Sequence, residues 1–141
     1  MKIEKYEFPE GLYYQRDHLW VKVEEGNKIR VGVTDMFQEE AGTILAVKTR
    51  KEGSTVQKGK IVASVQSGKW VGNLKSPVNG KVLKVNEEVK RNPRLINEDP
   101  YGKGWIMIIE AESLEDLKDL LKEESEIREW VEEEIKKVRK Q

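Results

Sequence analysis

One lysine of this chain stands in a short turn, within the segment QSGKWVGN that spans residues 66–73. Gly68 precedes Lys69, Trp70 follows it, and a second glycine stands at position 72. A primary amine held on a stiff turn is a group that an attaching enzyme can reach. Because the chain holds 26 lysines and arginines, composition alone favours an ordinary surface lysine at this position.

Other residue types that support catalysis are scarce. The chain has no cysteine, which removes disulfides, thiolate nucleophiles and cysteine-based metal sites together. A single histidine, His18, cannot form a multi-histidine metal site, and the patterns GxSxG, HExxH and GxxxxGK[ST] do not occur. We therefore predict no catalytic constellation and no metal site, and we favour a structural role for His18.

Length and charge limit the class of protein further. A chain of 141 residues is long enough for one domain with a real core and possible terminal elaborations. Its 26 basic and 26 acidic side chains cancel, so no general attraction to nucleic acid or anionic lipid is predicted. No apolar run approaches the roughly 20 residues needed to span a bilayer, and the first residues lack the apolar core of a signal peptide. We expect a soluble cytoplasmic protein.

Short strands dominate the first two thirds of the chain. LWVKV and KIRVGV alternate apolar and polar residues on either side of the turn EEGN, which predicts a β-hairpin. Thr34 or Asp35 is expected to cap a short helix that ends at Gly42. The expected core positions of the strands that follow are Val56, Ile61, Val65, Leu74, Val78, Val82 and Val85. This pattern predicts a small sandwich or flattened barrel, with Lys69 on the hairpin that links its two halves.

The last third of the chain combines a loop, a final strand and helices. NPRLINEDPYGKGW is predicted to be a loop, and WIMIIEAE a strand. Ser113 with Asp116 forms the pattern of a capping box for a helix in LEDLKDLLKEE. In the charged segment beyond it, five apolar residues fall on one helical face, namely Ile127, Trp130, Val131, Ile135 and Val138. We favour docking of this face against the domain; a partner-binding helix is the alternative.

Several separated segments resemble one known family. DHLW, VGVTDMFQEEAG, EGSTVQKGK, SGKWVGNLKSPVNGKVLKVN and LINEDPYGKGW occur in the order and spacing found in the H protein of the glycine cleavage system. The resemblance covers roughly residues 13–121. It implies a mainly β fold, a flattened β-barrel or sandwich of the lipoyl-carrier type (a barrel-sandwich hybrid), with a short helix and C-terminal helices. Residues 1–121 would form this domain and residues 122–141 a charged helical extension.

The resemblance also implies a function. Lys69 aligns with the lysine that carries lipoic acid in amide linkage, attached by a lipoate ligase or lipoyltransferase. Similar proteins are non-catalytic carriers, which shuttle an aminomethyl group between glycine decarboxylase, aminomethyltransferase and dihydrolipoamide dehydrogenase. By position, the expected groove for the loaded arm is formed by His18, Leu19, Glu40 and Trp70. The segment Asp99, Pro100, Tyr101 and Gly102 matches a distal family motif that we interpret as a structural turn.

The sequence departs from the family around this lysine. Three positions that are usually acidic hold Gln66, Asn73 and Leu19, although carboxylates would favour a cationic aminomethyl cargo. Trp70 replaces a usual alanine, where it would cover the base of the arm or pack on the hairpin. The segment SGKWVG is similar to lipoate-binding carriers of heterodisulfide-reductase-like sulfur oxidation. A carrier of sulfur species and an unmodified adaptor therefore stay open as alternatives.

Overall fold

The computed structural model describes residues 1–139, which form a mainly β structure. Within these residues, eleven strands make three antiparallel sheets. The strands are β1 (Lys2–Ile3), β2 (Tyr6–Glu7), β3 (Tyr13–Tyr14), β4 (Leu19–Val23), β5 (Lys28–Val33), β6 (Ile44–Thr49), β7 (Thr55–Val56), β8 (Ile61–Ser67), β9 (Val71–Lys75), β10 (Gly80–Val85) and β11 (Met107–Ala111). The helices are α1 (Asp35–Ala41), α2 (Glu87–Arg91), α3 (Leu95–Glu98) and α4 (Glu124–Arg139).

Two of the sheets enclose the main core. One has six strands in the order β3-β4-β5-β11-β10-β7, and the other has three in the order β6-β8-β9. Apolar side chains of both sheets, of α1 and of the two short helices form a single buried cluster. The sheets stay open within residues 1–139, so the sandwich, rather than the barrel, is the form that the chain adopts.

Most expected core positions are buried, but Ile61 is not. This residue is 51% exposed, whereas Val62 beside it is 2% exposed. The pairing of β8 with β9 shifts between Ile61 and Ala63, and such a bulge reverses the faces to which successive side chains point. Strict alternation along IVASV therefore assigns the wrong residue to the core. Ile61 was predicted to be buried, and this prediction was wrong.

The turn that contains Lys69 joins β8 to β9. Gln66 pairs with Val71 in the regular ladder, and the Ser67 amide donates to the carbonyl of Trp70 at 2.8 Å. Both strands belong to the three-stranded sheet, so the hairpin has a stiff base. Lys69 lies at its tip.

Helix α1 has the predicted caps. The Thr34 hydroxyl accepts a hydrogen bond from the Phe37 amide, and Gly42 ends the helix with a positive φ of 81°, a conformation that favours glycine. Asn97, from α3, then bonds both the Ile44 amide and the Gly42 carbonyl at 2.9 Å. This side chain fixes the exit of α1 into β6.

Two segments differ from their predicted structure. The predicted loop holds α3, and α2 lies immediately before it; Asn86 caps α2 by accepting from the Glu88 amide. The predicted helix after Ser113 is only a 3-10 turn, Leu114–Leu117. The Asp116 carboxylate accepts from the Asn79 amide at 3.0 Å instead of completing a capping box. Leu121 pairs with Tyr14 as an isolated β-bridge, which prevents the helix from continuing.

Helix α4 docks through the predicted apolar face. Ile127, Trp130, Val131 and Ile135 are buried, in a second cluster with residues of the N-terminal segment such as Phe8. The Phe8 and Trp130 rings meet edge to face with centroids 6.0 Å apart. No helix within residues 1–139 is both long enough and apolar enough to cross a membrane. The division of the chain at residue 121 stays a prediction.

Candidate functional site

The hairpin lysine lies at the mouth of a cavity of about 600 Å³. Lys69 and Trp70 come from the hairpin, and the other walls come from α1, α4 and the residue before β4. The lining residues are His18, Met36, Phe37, Glu40, Lys69, Trp70, Glu134, Lys137 and Val138. Residues far apart in the sequence therefore meet beside the exposed Lys69 amine.

Three of the four expected groove residues line this cavity together with Lys69. They are His18, Glu40 and Trp70. Leu19 does not: it begins β4, its side chain is 1% exposed, and it belongs to the main core. Leu19 fills space between the sheets because it starts the strand that pairs with β5. The prediction that Leu19 lies in the groove is therefore not matched by its position.

Trp70 packs against Phe37 of α1 and forms part of the cavity wall. Its ring lies 4.9 Å, centroid to centroid, from that of Phe37, and 46% of the residue is exposed. Phe37 in turn lies against the backbone of Gly72, where an added Cβ would come within 2.6 Å of the ring. Glycine at position 72 thus lets the Phe37 ring lie close to the β9 backbone, and Trp70 packs on that ring.

His18 is held on both ring nitrogens. Nδ1 lies 2.8 Å from the Thr34 hydroxyl and Nε2 lies 3.0 Å from Oε1 of Glu134. The same hydroxyl accepts from the Phe37 amide, so its own proton is available to Nδ1 while the Nε2–H of the ring donates to Glu134. The ring also lies 4.6 Å from that of Trp130. These contacts support the structural role predicted for the lone histidine, and they connect it to α4.

Two carboxylates face the cavity, one from each of two helices. The hydrogen bond from His18 holds the pKa of Glu134 below its usual range, with a further contribution from Lys137, against the opposing effect of burial. Glu134 is therefore ionised near neutral pH. Glu40, on α1, accepts a hydrogen bond from the Tyr6 hydroxyl. Burial, aided by Glu40, raises the pKa of Tyr6 far above its ordinary value, so the phenol stays a donor.

The sequence alone did not identify Glu134 or Phe37 as part of the site. Glu134 stands four residues after Trp130, so a helical projection places it beside the buried face. That spacing was the available signal for Glu134. Its proximity to Lys69, 65 positions earlier in the chain, has no local signature.

The distal motif forms a structural turn. The Pro100 carbonyl accepts from the Trp20 indole at 3.1 Å, and the Tyr101 hydroxyl donates to the Glu7 carbonyl while accepting from the Asp35 amide. Burial raises the pKa of Tyr101 well above its ordinary range, so its hydroxyl keeps its proton. The turn therefore joins β4, the N-terminal segment and the start of α1.

The residues around Lys69 fit a prosthetic group held in amide linkage. The amine lies at a hairpin tip, and apolar side chains of the cavity, from Met36, Phe37, Trp70 and Val138, suit a slender alkyl chain. The ionised Glu134 carboxylate at one wall suits a cationic end group. An open sandwich that presents a lysine at a hairpin tip beside such a cavity matches the lipoyl-carrier type of fold that the sequence resemblance implies.

Comparison with known proteins gives the family. The family model described as glycine cleavage H-protein matches residues 12–134, so the chain belongs to the glycine cleavage H-protein family. It is 45% identical over 115 residues to a glycine cleavage system H protein of Coprothermobacter proteolyticus, covering 82% of this chain and 91% of the relative. It is 42% identical over 141 residues to glycine cleavage system H protein 2 of Aquifex aeolicus, covering 94% and 88%.

A solved structure agrees with the fold. The crystal structure of a glycine cleavage system H protein from Mycobacterium marinum superposes with a TM-score of 0.78 at 28% identity. The match covers 86% of this chain and 98% of that one. The mainly β sandwich of the lipoyl-carrier type is therefore confirmed.

Proposed function

We propose that this protein is a non-catalytic carrier that bears lipoate on the Nζ atom of Lys69 and shuttles an aminomethyl group. The donor would be glycine decarboxylase and the acceptor aminomethyltransferase, with dihydrolipoamide dehydrogenase restoring the oxidised arm. The observation that supports this proposal best is the position of Lys69. It lies at the tip of a stiff hairpin and at the mouth of a cavity that holds carboxylates.

The bound cofactor would supply a disulfide whose sulfurs accept and release the transferred group. The protein's own residues bind and orient. Met36, Phe37 and Trp70 would form apolar walls beside the arm, and Glu40 and Glu134 would favour a cationic cargo. The sulfur-carrier alternative is less favoured for an anionic cargo, which an ionised Glu134 would repel. The adaptor alternative gives no role to the cavity beside Lys69.

The hairpin also suits recognition by the attaching enzyme, a lipoate ligase or lipoyltransferase. The Ser67 to Trp70 hydrogen bond closes the turn, and Lys69 itself is exposed. An amine presented on a preordered turn lowers the entropic cost of docking to the enzyme's active site. Other exposed lysines, such as Lys75 within β9, lack that presentation.

The test is reconstitution of glycine cleavage with the lipoylated chain and the three partner enzymes, measuring glycine-dependent release of carbon dioxide. We expect release with the natural chain and with Lys75→Arg, the matched control on the same hairpin, and none with Lys69→Arg. Absence of release with matched partners would contradict the proposal. A sulfur-bearing adduct on Lys69 after exposure to thiosulfate and its enzymes would favour the sulfur carrier instead.

A further inference from the structure

An ammonium group already contacts the carboxylate of Glu134. Nζ of Lys137 lies 3.2 Å from Oε2, and both residues line the cavity beside Lys69. The other oxygen, Oε1, accepts from Nε2 of His18 at 3.0 Å. One oxygen of Glu134 is thus fixed by the fold, and the other is engaged by a surface lysine.

The two partners of Glu134 differ in how firmly they are held. His18 is fixed by Thr34 and by the Trp130 ring, so it keeps the carboxylate in place. The Lys137 side chain is 72% exposed, against 20% for Glu134. Exposed ion pairs of a flexible lysine contribute little net free energy, because solvent screens them and the side chain loses freedom. Lys137 is therefore an exchangeable partner.

We propose that Glu134 is the subsite for the cationic amine of the cargo, and that Lys137 occupies this subsite when no cargo is present. The inference rests on the proposed function, since it requires a group attached at Lys69 to bring an amine into the cavity. A tethered amine acts at an effective concentration on the order of millimolar, which allows it to displace the lysine.

Glu134 is favoured over Glu40 by their surroundings. An oxygen of Glu40 accepts from the Tyr6 hydroxyl, and no ammonium contacts that carboxylate among the described residues. Glu134 is kept ionised by His18 and Lys137. The C-terminal helix would thus supply the negative charge that Gln66 and Asn73 do not supply near the lysine.

The test uses the full-length lipoylated chain, reduced and then treated with formaldehyde and ammonia. One thiol, one formaldehyde and one ammonia give an S-aminomethyl group and one water, so loading requires no decarboxylase. After removal of the reagents, intact mass follows the reverse hydrolysis and gives the lifetime of the loaded form. Failure of the proposed function would be seen in a different experiment, in which glycine decarboxylase and glycine would not load the lipoylated chain.

Matched controls lie on the same helix. Glu133 and Lys136 form an exposed ion pair of the same sequence spacing at 3.9 Å. We expect Glu134→Gln to shorten the lifetime about tenfold relative to Glu133→Gln, as loss of a charge-assisted contact implies. Lys137→Gln should lengthen it about twofold relative to Lys136→Gln, because a competitor is removed.

Opposite effects of the two substitutions on the lifetime distinguish a cargo subsite from a structural ion pair. Loss of a structural ion pair would change the lifetime in the same direction whichever partner is replaced. Equal lifetimes for Glu134→Gln and Glu133→Gln, or a shorter lifetime for Lys137→Gln, would overturn the proposal. If circular dichroism shows that Glu134→Gln does not fold, the lifetime of Lys137→Gln and the spectrum of the natural chain test the proposal instead. In the natural chain, the carboxyl carbon signal of Glu134 should shift on loading, and an unchanged signal would overturn the inference.

Discussion

Substitution of Gly72 by alanine should disturb the cavity wall through Phe37. An added Cβ would lie 2.6 Å from Cε2 and Cζ of that ring, whereas carbon atoms pack favourably at about 3.5–4.0 Å. The ring must therefore shift by about 1 Å, and Phe37 is buried between α1 and the three-stranded sheet. Overpacking of this kind costs about 1–3 kcal/mol.

The expected loss corresponds to a melting temperature lower by about 3–10 °C for a chain of this size. Thermal unfolding of Gly72→Ala measures it, with Gly68→Ala as the control, because a Cβ there meets only Leu45, at 4.0 Å. Trp70 fluorescence should change as well, since its ring packs on that of Phe37.

A double substitution isolates the cause. Phe37→Leu removes the obstructing ring atoms, so Gly72→Ala should cost about 1 kcal/mol less in that background. A melting temperature for Gly72→Ala equal to that of Gly68→Ala, with unchanged tryptophan fluorescence, would refute the reasoning.

Three further perturbations test the elements that support the site. Asn97→Ala leaves the Ile44 amide without its acceptor and should lower the free energy of unfolding by about 1–3 kcal/mol in urea titration; a loss below about 0.5 kcal/mol would contradict this. Trp130→Ala removes a buried ring and should cost about 3–5 kcal/mol, whereas the half-exposed Trp70→Ala should cost much less; similar costs would be inconsistent with docking of α4. The pKa of Glu134 is lowered in the folded state. Its contribution to stability is therefore fully present above the ordinary glutamate pKa of about 4.3, and it is lost as pH falls through the lower pKa of the folded state. The difference in melting temperature between the natural chain and Glu134→Gln should therefore be larger at pH 7 than at pH 3, and a constant difference would argue against the ion pair.

The strands and the lysine hairpin follow from local sequence signals. Alternation in LWVKV and KIRVGV, the cap at Thr34 and the glycines around Lys69 predict their elements correctly. Local patterns fail where a short-range irregularity intervenes. The bulge after Ile61 exposes a residue expected inside, and α3 has only four residues, too few for a helical period to show.

The cavity was less predictable than the fold. Its walls depend on where α4 docks, and an apolar face on a charged helix does not specify its partner surface. The bond from His18 to Glu134 joins residues 116 positions apart, so neither residue indicates the other. Leu19 packs in the main core; a position carried over from a family gives no information about which face of a strand the side chain occupies.

The most direct test of the carrier function is intact mass and peptide mapping of the protein purified from its native source. The account predicts a lipoyl mass increment on the peptide that contains Lys69, and no such increment on other lysines. An unmodified Lys69 in cells whose other lipoyl proteins are modified would contradict it.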